Sequence, residues 1–117
     1  MKNNLIQQKT FEFSIKIIGL YKLLQEQKEF VISKQVLRSG TSIGANIEEA
    51  IAAQSTKDFI SKLSIACKEA RETNYWIRLL SSTELVKNID YSIFLEESNS
   101  IINIITKIIK TTQEKNL

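Results

Sequence analysis

Apolar residues recur along this chain at steps of three and four positions, the spacing that places side chains on one face of an α-helix. The pattern predicts helices over residues 5–27, 33–54, 55–80 and 90–113. The last three ranges begin at the predicted N-cap residue. Ser33, Ser55 and Asp90 are the predicted N-caps, because their side chains accept hydrogen bonds from a first helical turn. The chain has no proline and three glycines, which favours long helices over tight turns.

The apolar rows of these helices predict how they pack. The third helix has a heptad row at alternating steps of four and three, formed by Phe59, Leu63, Ala66, Ala70, Thr73, Ile77 and Leu80. The first helix has two stripes, one with Phe13, Ile17, Leu20 and Leu24 and a second with Phe11, Ile15 and Ile18. We therefore predict an all-α fold, an antiparallel up-down-up-down four-helix bundle, with residues 1–117 as one domain.

The second helix combines an apolar row with a row of small polar residues. The apolar row contains Val36, Gly40, Ile43, Ile47 and Ala50, and the polar row contains Gln35, Ser39, Ser42, Asn46 and Glu49. An ordinary solvated face carries mostly Lys and Glu, so this polar row, with Arg38 beside it, predicts an interface between subunits. Arg38 and Arg71 are expected to pair with glutamate carboxylates, within the chain or across an interface, with Arg38 forming a bidentate bridge. Gly40 and Gly44 predict close approach of a neighbouring helix, with a kink as the alternative.

A basic row is predicted on the third helix, on the face opposite its heptad row. It contains Lys57, Ser61, Ser64, Lys68, Arg71, Tyr75 and Arg78. The row extends over about 30 Å of helix. Its cations are spaced to follow a phosphate backbone, and Tyr75 offers a surface for stacking. A solvated helix face is the alternative interpretation.

Composition argues against most catalytic chemistry. The chain has no histidine, the commonest general base and metal ligand, and its single cysteine, Cys67, is expected to be a buried apolar group. Glu48, Glu49, Glu69 and Glu72 are the alternative as a metal site, but helical carboxylate sites of this kind also use histidine. We expect no enzyme activity, no cofactor and no metal.

The chain has 43% hydrophobic and 25% charged residues, a formal charge of +3 and a pI near 9.0, which permit a nucleic-acid partner without requiring one. Its N-terminal residues lack the features of a secretory signal, and no stretch is apolar enough to cross a membrane. The expected location is therefore the cytoplasm, without a membrane partner.

One block of the chain, RSGTSIGANIEEA, is specific enough to compare with known families. Further distinctive positions are Phe11, Phe13, Leu20, Tyr21, 33–35, 37–50 and 58–80. In these residues the sequence resembles the bacterial four-helix-bundle family whose founding members are encoded in intervening sequences of 23S ribosomal RNA genes, also called the S23 ribosomal protein family. The fourth helix matches this family in general character only.

This resemblance implies a homopentamer arranged around an axis. It also implies kinship with the accessory proteins of diversity-generating retroelements, which form positively charged pentameric barrels that bind nucleic acid and a reverse transcriptase. A cyclic assembly needs two different faces that fit one another, and the second stripe of the first helix and the polar row are the candidates. The expected function is nonspecific RNA or DNA binding by an oligomer. The alternative is a protein adaptor, for a reverse transcriptase or a ribosomal component.

Overall fold

A computed structural model of the chain describes residues 3–115 and contains four α-helices and no strand within that range. The helices are α1 (Asn3–Glu26), α2 (Ile32–Ile51), α3 (Thr56–Thr83) and α4 (Ser92–Lys115). They form a rod measuring 49 × 21 × 21 Å. The predicted all-α fold is confirmed. Residues 1, 2, 116 and 117 of the predicted domain lie outside the described residues.

Consecutive helices pack side by side in opposite directions. The start of α1 contacts the end of α2, where the Gln7 amide donates hydrogen bonds to the Glu48 carboxylate at 2.9 and 3.0 Å. The end of α1 contacts the start of α2, where Gln25 donates to the Ser33 hydroxyl at 3.0 Å. Helices α1 and α4 close the bundle through Phe13 and Phe94, whose rings meet edge to face at 6.5 Å.

The predicted apolar rows form one core. The first stripe of α1 and the heptad row of α3 are buried, apart from Phe59, which is half-buried. Helix α4 contributes Ile101 and Ile105, which are completely buried. The core also encloses the polar side chains of Thr73 and Ser39, which are inaccessible to solvent. The Thr73 hydroxyl donates a hydrogen bond to the Ser39 hydroxyl at 2.8 Å.

Gly40 and Gly44 allow α1 and α2 to approach closely, as predicted. A Cβ atom at Gly40 would lie 2.8 Å from both Cγ atoms of Ile17. At Gly44 it would lie 3.3 Å from the backbone oxygen of Thr10. The glycines are therefore explained by packing inside the subunit.

The structure corrects the predicted start of α2. Ser33 is not an N-cap, because α2 begins at Ile32 and Ser33 is buried within its first turn. The Glu29 carboxylate accepts hydrogen bonds instead from the backbone N–H groups of Ile32 at 3.1 Å and Ser33 at 2.6 Å. Two carboxylate oxygens satisfy more of the unpaired N–H groups of a first turn than one hydroxyl can.

The other helix ends are closer to the prediction. The Ser55 side chain caps α3 by accepting from the Asp58 N–H at 3.0 Å, and Asp90 accepts from the Ser92 N–H at 3.0 Å at the start of α4. Helix α2 ends at Ile51 instead of residue 54, and α3 continues to Thr83 instead of residue 80.

Candidate functional site

The basic row lies on the outer side of α3, opposite the buried heptad row. Its side chains are exposed, except that of Ser64, which is half-buried. The Ser64 hydroxyl donates to the backbone oxygen of Ile60 at 2.8 Å. The remaining members offer solvent four cations, one hydroxyl and one phenol ring: Lys57, Lys68, Arg71, Arg78, Ser61 and Tyr75.

The cations of the basic row have no carboxylate partner among the described residues, where every ion pair involves other residues. Three neighbouring carboxylates on α2 and α3 are already paired with other cations, whereas Asp58, next to Lys57, forms no ion pair within residues 3–115. Lys62 binds Glu49 at 3.1 Å, and Arg38 binds both Glu69, at 3.4 Å, and Glu72. The four cations of this face are therefore not engaged in direct ion pairs with the described acidic side chains around them.

Tyr75 is held in a network that begins in the core. The buried Ser98 hydroxyl accepts from the Asn74 amide at 2.9 Å, and the Asn74 oxygen accepts from Arg78 Nε at 2.9 Å. The Arg78 guanidinium carbon lies 5.8 Å from the centroid of the Tyr75 ring. Trp76 meets that ring edge to face at 5.1 Å. Sequence reasoning missed Asn74, although its four-residue separation from Arg78 is a spacing at which helical side chains interact.

Arg38 joins α2 to α3 through two carboxylates, as predicted. Its guanidinium binds Glu69 and Glu72, and Trp76 Nε1 donates to Glu72 at 3.1 Å. The Trp76 hydrogen bond, followed by that of Arg38, lowers the pKa of the Glu72 carboxyl. The hydrogen bond to Glu72 and the charges of both carboxylates raise the pKa of Arg38.

Acidification is expected to weaken this connection. The pKa of the Glu72 carboxyl is lower in the folded chain than in the unfolded chain. The ionised carboxylate therefore stabilises the fold fully above the ordinary pKa of 4.5, and this stabilisation disappears as the pH falls through the lowered pKa. The side chains are partly exposed, so the loss is expected to stay below about 1 kcal/mol. Urea unfolding from neutral pH to about pH 3 measures it. Glu72→Gln removes this titration, and an equal pH dependence in wild type and variant would contradict the prediction.

The polar row of α2 divides into internal and surface residues. Ser39 is completely buried against Thr73, so it packs inside the subunit and is withdrawn from the predicted interface. Gln35 is half-buried, and Glu49 is exposed and paired with Lys62.

Two further members of the polar row donate to backbone oxygens of their own helix, Ser42 at 2.6 Å and Asn46 at 2.8 Å. The Ser42 hydroxyl can therefore be covered by a partner without leaving its donor unpaired. The Asn46 amide has a second N–H and an oxygen that a partner would have to match.

The second stripe of α1 is uncovered in the single chain. Phe11, Ile15 and Ile18 are 63%, 56% and 41% exposed, on the same side of the helix. Single exposed apolar residues are ordinary, but a contiguous stripe of large ones is typical of an interaction surface. We call these three residues the apolar stripe.

No group of three or more metal-ligating side chains occurs in the described part of the chain. Cys67 is buried, with its sulfur 3.8 Å from the Thr106 hydroxyl oxygen. Over residues 3–115, no helix has both the length and the apolarity required to cross a membrane.

The fold and surface define a small all-α bundle protein with one basic and one apolar surface. The family model of the 23S rRNA-intervening sequence proteins matches residues 2–107, so the chain belongs to that family. It is also similar to a crystal structure of a protein of unknown function from the S23 ribosomal protein family of Bacteroides thetaiotaomicron. The two are 54% identical with a TM-score of 0.88, over 94% of this chain and 99% of that one. No curated protein matches the chain.

Proposed function

We propose that this protein is a non-enzymatic homo-oligomer, a ring of five copies, that binds RNA or DNA without sequence preference through the basic row. The observation that carries the proposal is the set of four cations in this row without carboxylate partners among the described residues. Lysine and arginine side chains bind phosphates of any sequence, because the phosphate backbone is common to all of them.

Assembly strengthens this proposal. One subunit with a formal charge of +3 is only weakly basic, so few phosphate contacts by a single copy give weak binding. A ring repeats the basic row in every subunit, and once one row is bound the others encounter the same strand at high effective concentration. The apolar stripe and the surface part of the polar row are the proposed faces between neighbouring copies.

Replacing Lys68 and Arg71 together with alanine is expected to weaken oligonucleotide binding by about tenfold or more at low salt and to flatten its salt dependence. Both side chains are exposed, so the fold should be retained. Fluorescence anisotropy over a salt series measures both quantities. Lys34→Ala with Lys87→Ala is the matched control, because it removes the same charge from exposed positions outside the row. If the wild type fails to bind at low salt, or the control pair weakens binding equally, the proposal is wrong.

A second candidate function is a protein adaptor, for a reverse transcriptase or a ribosomal component. The exposure of the apolar stripe favours it, because apolar surface of this kind also fits a different protein. Cross-linking to a protein partner that nucleic acid does not compete away would support the adaptor and contradict the first proposal.

A further inference from the structure

We propose that Tyr75 is a base-stacking platform, so that the basic row takes single-stranded nucleic acid and distinguishes unpaired from paired bases. This inference rests on the proposed function and deepens it by naming the class of ligand. It depends on the juxtaposition of an exposed phenol ring with Arg71, one turn before it, and Arg78, one turn after it, on the outer side of α3.

Tyr75 is available for stacking. It is 47% exposed in the middle of a row of cations, although large aromatic side chains are usually directed into a core when one is available. Trp76 contacts the ring edge to face and so restrains the ring plane, while the Arg78 guanidinium lies over one face, so that a base would stack on the solvent-exposed part of the ring.

The ring is preorganised from the core outward. Ser98 is completely buried and holds Asn74, Asn74 accepts from Arg78, and the Arg78 guanidinium lies over the Tyr75 ring. A side chain that is already ordered loses less conformational entropy when it binds a ligand. Asn74 is therefore a positioning residue for the platform.

The spacing of the cations supports a strand that follows the helix. Arg71 and Arg78 are seven residues apart, which corresponds to about 10 Å along α3, with Tyr75 between them. Phosphates on either side of a base can therefore contact the two arginines while the base stacks on the ring. In a duplex the base faces are covered by neighbouring bases, so the ring can reach only sugars and phosphates.

The structure favours nucleic acid over an acidic protein for this surface. An acidic protein would use the four cations equally, but nothing in its carboxylates requires an accessible aromatic ring in the middle of the row. Every base, in contrast, presents a π-face, and base-aromatic stacking tolerates all sequences. The 2′-hydroxyl plays no part in this contact, so single-stranded RNA and DNA are both expected to bind.

The test compares Tyr75 variants of the full chain on oligonucleotides of equal length, as single-stranded RNA, single-stranded DNA and duplex DNA. Tyr75→Ala is expected to weaken single-strand binding by about five- to 150-fold and duplex binding by less than about twofold. Tyr75→Trp and Tyr75→Phe should retain single-strand affinity because they keep an aromatic face. Tyr75→Leu keeps much of the side-chain volume without a π-face and should weaken single-strand binding as much as Tyr75→Ala does. If Tyr75→Ala unfolds, the comparison is made with Tyr75→Leu instead.

The outcomes separate this inference from the proposed function. Equal losses for single strand and duplex, or no loss for either, would overturn the stacking platform while leaving nucleic-acid binding intact. Full single-strand affinity of Tyr75→Leu would also overturn it. Failure of the wild type to bind any of the three oligonucleotides at low salt would overturn both.

Discussion

Replacing Gly40 with valine is expected to lower the free energy of unfolding by about 1–3 kcal/mol, because the added carbons overpack the contact between α1 and α2. A Cβ atom at this position already lies 2.8 Å from Cγ1 and Cγ2 of Ile17. Both atoms belong to a completely buried, β-branched side chain and cannot swing aside as the end of a flexible chain can. Urea unfolding followed by circular dichroism measures the change.

Gly19→Val is the matched control for this prediction, and because Gly19 lies beside the apolar stripe, both variants are compared at the same oligomeric state, verified by light scattering. Gly19 is an exposed glycine in α1, and a Cβ atom there has no heavy atom within 4 Å. Valine and glycine differ little as helix formers compared with the cost of overpacking, so the control is expected to change stability by less than about 0.5 kcal/mol. Equal effects of Gly40→Val and Gly19→Val would show that helix propensity, instead of packing, explains the result.

A double variant tests the contact itself. Ile17→Ala alone should cost about 2–5 kcal/mol because it leaves a cavity in the core. In that background Gly40→Val returns carbon atoms to the space that Ile17→Ala vacates. We expect the combined loss to be about 0.5–3 kcal/mol smaller than the sum of the single losses. Additive losses would contradict a direct contact between the two positions.

Replacing Ile15 with glutamate is expected to convert the proposed oligomer into single chains of 13.4 kDa. In one chain Ile15 is 56% exposed, so a carboxylate there remains solvated and the subunit should still fold. At an interface the same carboxylate would be removed from water without a prepared partner, which costs several kcal/mol per subunit contact. Light scattering coupled to size-exclusion chromatography measures the mass, and circular dichroism verifies the fold.

Ile93→Glu is the control for this experiment. Ile93 is an apolar residue of α4 with similar exposure, 44%, and lies outside the apolar stripe. A carboxylate in the first turn of a helix is compatible with its dipole, so the variant should keep the mass of the wild type. A wild type that stays a single chain at every concentration would contradict the proposed ring. A ring that survives Ile15→Glu would show that the apolar stripe is not its interface.

The candidate site was only partly predictable from the sequence. The members of the basic row could be placed on one side of α3 because the spacing of residues within one helix determines which side chains are neighbours. Whether their charges are neutralised depends on α2, because Arg38 and Lys62 reach carboxylates that are distant in sequence. The hydrogen bonds from Asn74 to Ser98 and from Arg78 to Asn74 likewise depend on how α4 packs against α3.

The sequence by itself determined the helical segments, their apolar rows and the small residues at Gly40 and Gly44, because all of these follow from local spacing and side-chain size. Only the tertiary structure decided that Ser39 is internal, that Glu29 instead of Ser33 caps α2, and that the apolar stripe is left uncovered. These features depend on distances between side chains on different segments. The period of one helix specifies a direction for each side chain but does not specify the group that it will meet.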